Sequence, residues 1–385
     1  MSRAAAALAL AVAALLAGCG SPAPSAPGPA PEAPPGGAPF LATSTVTAAG
    51  TWAVAVMGGP VADENNFWQL FVRPAGTSRW KLVTPPGTAD NGGLILAGAS
   101  GSLVTGFRPS QYLTFTPLVI TRNAGQAWSS TGPLDGALAD VPDALAAASA
   151  TGNLLALLTD GTADLAGPGY TNWTTLATQR SLAATAPGRR CGLQNLTAAA
   201  FAPPGTPMLA GTCSHPGTAG IFASTGGTWQ AAGPPLPAAL ATQPVQVLRL
   251  TSTASGTVAL LAAGTGPAAT LLAAWSSDGG GHWALSLPFR LNGAALSSAS
   301  FGPGDTAAIV LNGNRGETVA GAGAGWRALP ALPPGTATLA PGPAGGFDAL
   351  AAGRTTMTVW QLAPGSAAWA KTQAISVPIQ FGSSS

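Results

Sequence analysis

Seven tryptophans recur along the chain, Trp80, Trp128, Trp173, Trp229, Trp283, Trp326 and Trp369, at spacings of 48, 45, 56, 54, 43 and 43 residues. Three short apolar runs precede each Trp-bearing run, and clusters of Gly, Pro, Asn, Asp or Ser separate them. Short apolar runs bounded by turn formers read as strands. A four-stranded unit repeated at about this period cannot bury both faces alone, and stacking neighbours around an axis solves that problem. The expected fold is all-β: a β-propeller of seven four-stranded blades over residues 40–385. A count of six or eight also fits if the weak third unit is read differently.

The strands of the second unit are expected at 93–99, 102–107, 117–121 and 127–130. Those of the fourth fall at 196–202, 207–213, 220–224 and 228–231, and those of the fifth at 245–252, 257–263, 270–276 and 282–287. The first unit runs over 43–86, with Trp52 entering its second strand and Trp68 on its third; the third covers 143–179, the sixth 296–333 and the seventh 336–381. An extra apolar run at 375–381 is placed to pair with blade 1 and close the ring, which removes exposed sheet edges.

Arg3 is followed by 14 uncharged residues, 4–17, too few for a membrane-spanning helix of about 20 residues, so the stretch reads as a signal peptide. It closes on Leu16-Ala17-Gly18-Cys19, which resembles the lipobox of bacterial lipoproteins. The resemblance implies that residues 1–18 are a leader and that Cys19 carries diacylglycerol. Each buried CH₂ of an acyl chain contributes about 0.8 kcal/mol, so two or more chains hold a protein on a membrane surface. Residues 19–39 are rich in Pro, Ala and Gly and read as a semi-rigid tether, extended at about 3.1 Å per residue. The expected location is the bacterial cell envelope, outside the cytoplasm, with the membrane met only through the lipid.

Charged residues make up 7% of the chain, and 15 basic against 13 acidic side chains leave a formal charge of +2 with no basic run. Nucleic acid is therefore not expected as a partner, and a monomer is. Cys191 and Cys213 are the cysteines beyond Cys19, and an exported protein meets conditions in which such a pair closes. A hairpin turning at Pro203, Pro204 and Gly205 brings them to one end of blade 4; two free thiols are the alternative. His215 stands near Cys213, but the second histidine, His282, is far away in sequence, so neither a metal site nor a cofactor is expected.

The segment Ser276-Ser277-Asp278-Gly279-Gly280-Gly281-His282-Trp283 matches Ser-x-Asp-x-Gly-x-x-Trp, and Thr121-Arg122-Asn123-Ala124-Gly125-Gln126-Ala127-Trp128 keeps its spacing. Both are similar to the Asp-box, or bacterial neuraminidase repeat, of sialidase-like propellers. In that family the boxes lie on outer turns away from the ligand face. The resemblance thus implies structural roles for Ser276, Asp278, Gly280 and Trp283, and for Asn123, Gly125 and Trp128. Asp and Asn side chains bond nearby backbone N–H groups, glycine relieves the turn, and Trp packs between blades.

A sialidase also needs three arginines for the substrate carboxylate, a Tyr nucleophile assisted by Glu, and an Asp acid/base. Here the tyrosines are Tyr112 and Tyr170, and the glutamates beyond the tether are Glu64 and Glu317. Phe107-Arg108-Pro109 is similar to the Arg-Ile-Pro segment of sialidases but lacks its Ile. Gly-x-Ser-x-Gly, His-Glu-x-x-His and P-loop motifs are missing from the sequence, and no catalytic residue is assigned.

In a propeller the loops from second to third strands and from one blade to the next emerge on one face. They carry Asp63, Glu64, Arg108, Tyr112, His215, Arg315 and Arg354, and between blades Asp90, Arg189, Arg190 and Arg290. Arg108, Tyr112, Arg315 and Arg354 form a candidate cleft for an anionic or sugar ligand. The expected function is a non-catalytic envelope lipoprotein whose propeller binds a protein or glycan. The alternatives are a sialidase-type glycoside hydrolase and a propeller similar to those that assist assembly of photosynthetic complexes.

Overall fold

The structure, a computed structural model, describes residues 41–58, 66–85, 89–99, 101–108, 118–134, 141–302, 304, 306–312 and 314–378. Cys19, the leader and the tether lie outside the described residues. Blade 1 is β1 to β4 (Ser44–Thr47, Gly50–Met57, Phe67–Pro74, Lys81–Leu82) and blade 2 is β5 to β8 (Ala89–Ala99, Ser102–Arg108, Leu118–Thr121, Ser129–Ser130). Blade 3 is β9 to β12 (Ala144–Ala147, Leu154–Leu157, Thr162–Ala166, Trp173–Thr178). Blade 4 is β13 to β16 (Leu193–Ala202, Thr206–Cys213, Gly220–Thr225, Thr228–Ala231). Blade 5 is β17 to β20 (Val245–Thr253, Gly256–Ala263, Thr270–Ser276, Ala284–Leu285), followed by a short strand, β21 (Phe289–Arg290). Blade 6 is β22 to β25 (Leu296–Gly302, Thr306–Leu311, Arg315–Ala320, Arg327–Ala328). Blade 7 is β26 to β29 (Thr336–Pro341, Phe347–Ala352, Thr356–Leu362, Ala370–Ser376).

Each blade is an antiparallel meander in chain order. The first strands touch in series, β5 on β9, β9 on β13, β13 on β17, β22 on β26, and β1 on both β26 and β5. This is the ring of a β-propeller. The second strands explain why the apolar runs are continuous rather than alternating. All eight residues of β18 are buried, because Ala259, Leu261 and Ala263 face blade 4 while Val258, Leu260 and Ala262 face blade 6. The same logic holds between every neighbouring pair, including blades 7 and 1, where Met357 and Val359 pack with Phe71 and Trp80.

Of the apolar run at 375–381, the described residues do not pair with a strand of blade 1: Ile375 lies in β29 and pairs with Met357 of its own blade, while Ile375 and Val377 pack in the core that blades 7 and 1 share; residues 379–385 are outside the described chain. Polar side chains also close this seam. The Arg73 guanidinium of blade 1 donates to Asp348 Oδ2 of blade 7 at 2.8 Å, to the Pro341 carbonyl at 2.7 Å and to Thr51 Oγ1 at 3.1 Å. Trp80 Nε1 donates to the same Asp348 oxygen at 2.9 Å, and Gln373 brackets the Trp80 backbone, accepting its N–H at 2.9 Å and donating to its carbonyl at 2.8 Å. Burial pushes the Asp348 carboxyl above the usual carboxylate range, against the pull of Arg73 and of the Trp80 and Gln361 donors.

Two further features were not expected. The chain upstream of β1 wedges between blades 5 and 6: Ala42 forms a parallel bridge to Ser298, and Leu41 is buried in the core those blades share. Between blades 3 and 4 stand two short helices, α1 (Gln179–Ala183) and α2 (Ala186–Cys191), where only a loop was anticipated. Thr178 and Thr185 cap their N-termini, and Gly192 ends α2 in the left-handed conformation at φ 63°.

Candidate functional site

A cleft of about 540 Å³ opens where the blade-to-blade connections of blades 4, 5 and 6 emerge. Leu41, Leu248, Leu271 and Leu291 supply its apolar wall, and the amides of Gln194 and Gln246 supply polar groups. Its shape follows from a departure from plain blade geometry. Thr212 and Cys213 at the end of β14 pair with Gln246 and Val245 of β17, so blades 4 and 5 share a nine-stranded sheet. Among the described residues, none that lines the cleft carries an ionisable side chain.

The disulfide between Cys191 and Cys213 braces this wall, with the two Cα atoms 4.9 Å apart. It ties the end of α2 to the strand end that meets β17. Gly220 leaves the room: a Cβ there would lie 2.7 Å from Cys213 Sγ. For a sequence separation of 22 residues, loop closure suggests about 3 kcal/mol of stabilisation. Replacing both cysteines by serine should lower the free energy of urea unfolding by about that amount; an unchanged value would show that the bond adds no stability.

The candidate loop residues divide as follows. Asp63, Glu64 and Tyr112 lie outside the described residues, and Arg108 ends β6 with its side chain undescribed. Arg315 begins β24 and is held by Glu317, with Nε at 2.8 Å and Nη2 at 2.7 Å from Oε1, while its guanidinium lies 5.4 Å above the Phe289 ring. Arg354 is exposed in the turn between β27 and β28, and Arg290 is exposed in β21 beside the cleft residue Leu291. Arg290 follows Phe289 in β21, the residue whose ring the Arg315 guanidinium covers. His215 is exposed on the loop after β14, its Nδ1 3.1 Å from the Arg190 carbonyl oxygen. Tyr170 is buried in the core of blades 2 and 3 and Glu317 in blade 6, so these two do not form a Tyr–Glu pair.

The Ser276–Trp283 turn joins β19 to β20 at the opposite end of the strands from the cleft. Ser276 Oγ donates to Asp278 Oδ1 at 2.9 Å and accepts the Gly280 N–H at 2.8 Å, while the His282 N–H donates to Asp278 Oδ1 at 2.9 Å. The turn after β7 repeats the pattern: Thr121 Oγ1 donates to Asn123 Oδ1 at 3.0 Å and accepts the Gly125 N–H at 3.0 Å, and the Ala127 N–H donates to Asn123 Oδ1 at 2.9 Å. Trp283 Nε1 then donates to the Ala232 carbonyl of the preceding blade at 2.6 Å, pinning the turn to its neighbour. Trp128 packs, half-buried, against the core of blades 1 and 2.

The His282 backbone N–H and ring, then the Ser276 hydroxyl, hold the Asp278 carboxyl well below the usual carboxylate range. A depressed folded-state value means a stabilising contribution present above the unfolded value of about 3.9 and lost as pH falls below it. Carboxyl-carbon NMR should therefore find Asp278 still ionised at pH 3.5, and a midpoint near 4 would contradict the bonding described.

No protein-family model matches the chain, and no curated protein matches it. Solved structures do. A protein from Lactobacillus plantarum aligns at TM-score 0.53 and 10% identity over 85% of this chain and 96% of its own. A proposed 6-phosphogluconolactonase from Bacteroides uniformis aligns at 0.50 and 13% over 84% and 96%. YCF48 from Cyanidioschyzon merolae aligns at 0.46 and 11% over 84% and 93%. The chain has the β-propeller fold. At such identities the likeness establishes architecture and leaves chemistry to the site itself.

Proposed function

We propose that this chain is a non-catalytic lipoprotein of the bacterial cell envelope whose propeller binds a protein partner at the cleft of blades 4 to 6. The observation that carries the reading is the cleft's own chemistry. Leucines and amides line it and, among the described residues, no ionisable side chain does, which suits recognition by burial and hydrogen bonding and leaves the Thr212 and Thr265 hydroxyls without a lining base to activate them. The Leu16-Ala17-Gly18-Cys19 segment supports lipid attachment, and the Pro-rich stretch after it would hold the propeller off the membrane.

The test is capture from detergent-solubilised envelopes with the full chain as bait. A partner retained by the native chain should be lost when Gln246→Arg and Thr265→Trp crowd the cleft, and capture indifferent to both changes contradicts the reading. Turnover of a fluorogenic sialoside by the purified chain would contradict its non-catalytic part. Mass spectrometry of the mature N-terminus should find an acylated Cys19; an unmodified terminus beyond residue 19 rules out the anchor.

A further inference from the structure

Between Asp164 and Asp278 the sequence holds no Asp or Glu, yet it holds Arg180, Arg189, Arg190 and Arg249. That stretch builds α1, α2, blade 4 and the first three strands of blade 5, and so most of the cleft wall. Arg189 and Arg190 are exposed at the end of α2, and the helical insert abuts the cleft because Gln179 Nε2 donates to the carbonyl of the cleft residue Gln194. Arg290 stands exposed on the other side, next to Leu291. Its neighbour Arg315 is already neutralised by Glu317, so Arg290 carries the charge of that rim.

A further cation, Arg249, follows the cleft residue Leu248 on β17; it does not line the cleft and donates to Thr43 Oγ1 at 2.9 Å. None of the described ion pairs includes it, and burial lowers its guanidinium to about 10, which leaves it charged at neutral pH. On blade 3, Asp160 accepts the Thr162 N–H at 2.8 Å in the turn between β10 and β11. Asp278 lies on the opposite end of blade 5.

We infer that the cleft of blades 4 to 6 takes an acidic, extended peptide segment, with Arg189 and Arg190 on one rim and Arg290 on the other reading its carboxylates. The inference rests on the binding reading above and adds the chemistry of the partner. Apolar walls flanked by one sign of charge focus the field and draw in the opposite charge. Gln194 and Gln246 offer donors and acceptors for a peptide backbone, and the leucines take the side chains between its acids. Among the described residues the lining includes no aromatic ring, the stacking surface on which sugars and bases are held.

The test is fluorescence anisotropy with the full chain in detergent and two labelled probes, a Glu-Ala repeat peptide and its Lys-Ala counterpart. The acidic probe should bind, weaken as salt is raised, and lose about tenfold or more in affinity on Arg189→Glu with Arg190→Glu. Arg290→Glu supplies an independent variant should the first fail to fold, and Arg122→Glu, exposed on the far-end turn of blade 2, should leave binding unchanged. Failure of the acidic probe to bind, equal binding of the lysine probe, or equal loss in Arg122→Glu would overturn the inference. Preference for oligogalacturonate over the peptide would overturn the peptide class. Envelope capture separates the two levels: a partner still retained by the Arg189, Arg190 and Arg290 variants removes this site and leaves the binding function standing. Capture of nothing by the native chain removes both.

Discussion

Asp348→Ala is expected to destabilise the propeller by about 3–5 kcal/mol, because it strands the buried Arg73 guanidinium at the seam that closes the ring. Asp348 is 2% exposed and receives Arg73, Trp80 and Gln361. Removing it leaves the Arg73 charge without its counter-ion and the Trp80 N–H without its acceptor, and unpaired buried groups carry the full desolvation cost. Replacing the ion pair as a whole is a different change. Arg73→Met with Asp348→Leu should recover most of the loss, since hydrophobic replacements of buried ion pairs are often neutral. Urea unfolding of the single and double variants measures both. A single variant within about 0.5 kcal/mol of the native chain would mean that the seam is held by apolar packing alone.

Trp80→Ala should cost about 3–5 kcal/mol, and more than Trp283→Ala. The seven repeated tryptophans look equivalent in the sequence, but their burial separates them. Trp80 is 1% exposed, sits in the core of blades 7 and 1, and lies under the Arg73 guanidinium at 5.6 Å. Trp283, like Trp128, Trp173, Trp229, Trp326 and Trp369, is half-buried and covers the outer edge of a core from its turn. Truncation there opens less cavity and exposes the freed surface to water. Equal losses for Trp80→Ala and Trp283→Ala, read by the same urea titration, would contradict this ranking.

Much of the architecture is legible without coordinates because each blade is local. The expected strand at 270–276 coincides with β19, that at 245–252 falls one residue short of β17, and Trp52 and Trp68 stand on the second and third strands of blade 1 as read. What escapes the sequence is what joins distant parts. Arg73 and Asp348 lie 275 positions apart, and neither carries a local pattern. The wedge of Leu41 between blades 5 and 6, with the Ala42 backbone bridge to Ser298, is likewise a contact over more than 200 residues. The helical insert did leave signals, with Thr185 before Pro187 and Gly192 after Cys191, yet five- and six-residue helices are too short to show an apolar stripe.

The candidate site was legible in charge and illegible in shape. Strand order put Arg189, Arg190 and Arg290 on loops between blades, whereas the structure holds the first two at the end of α2 and the third in β21. Gln194, Gln246 and Leu248 look like ordinary strand residues, and only the cross-blade pairing of β14 with β17 turns them into a cleft. The signal that was available is the long acid-free stretch from Asp164 to Asp278, a pattern of absence that no motif marks.

Hydrogen exchange on the full chain, alone and with its captured partner, tests most directly whether this propeller works through that face. Binding should slow exchange in residues 189–196, 244–248, 264–271 and 289–296, which surround the cleft. The turns at 121–128 and 276–283, at the far end of the strands, should exchange as before. Protection confined to those turns, with the cleft segments unchanged, would contradict the assignment of the binding face.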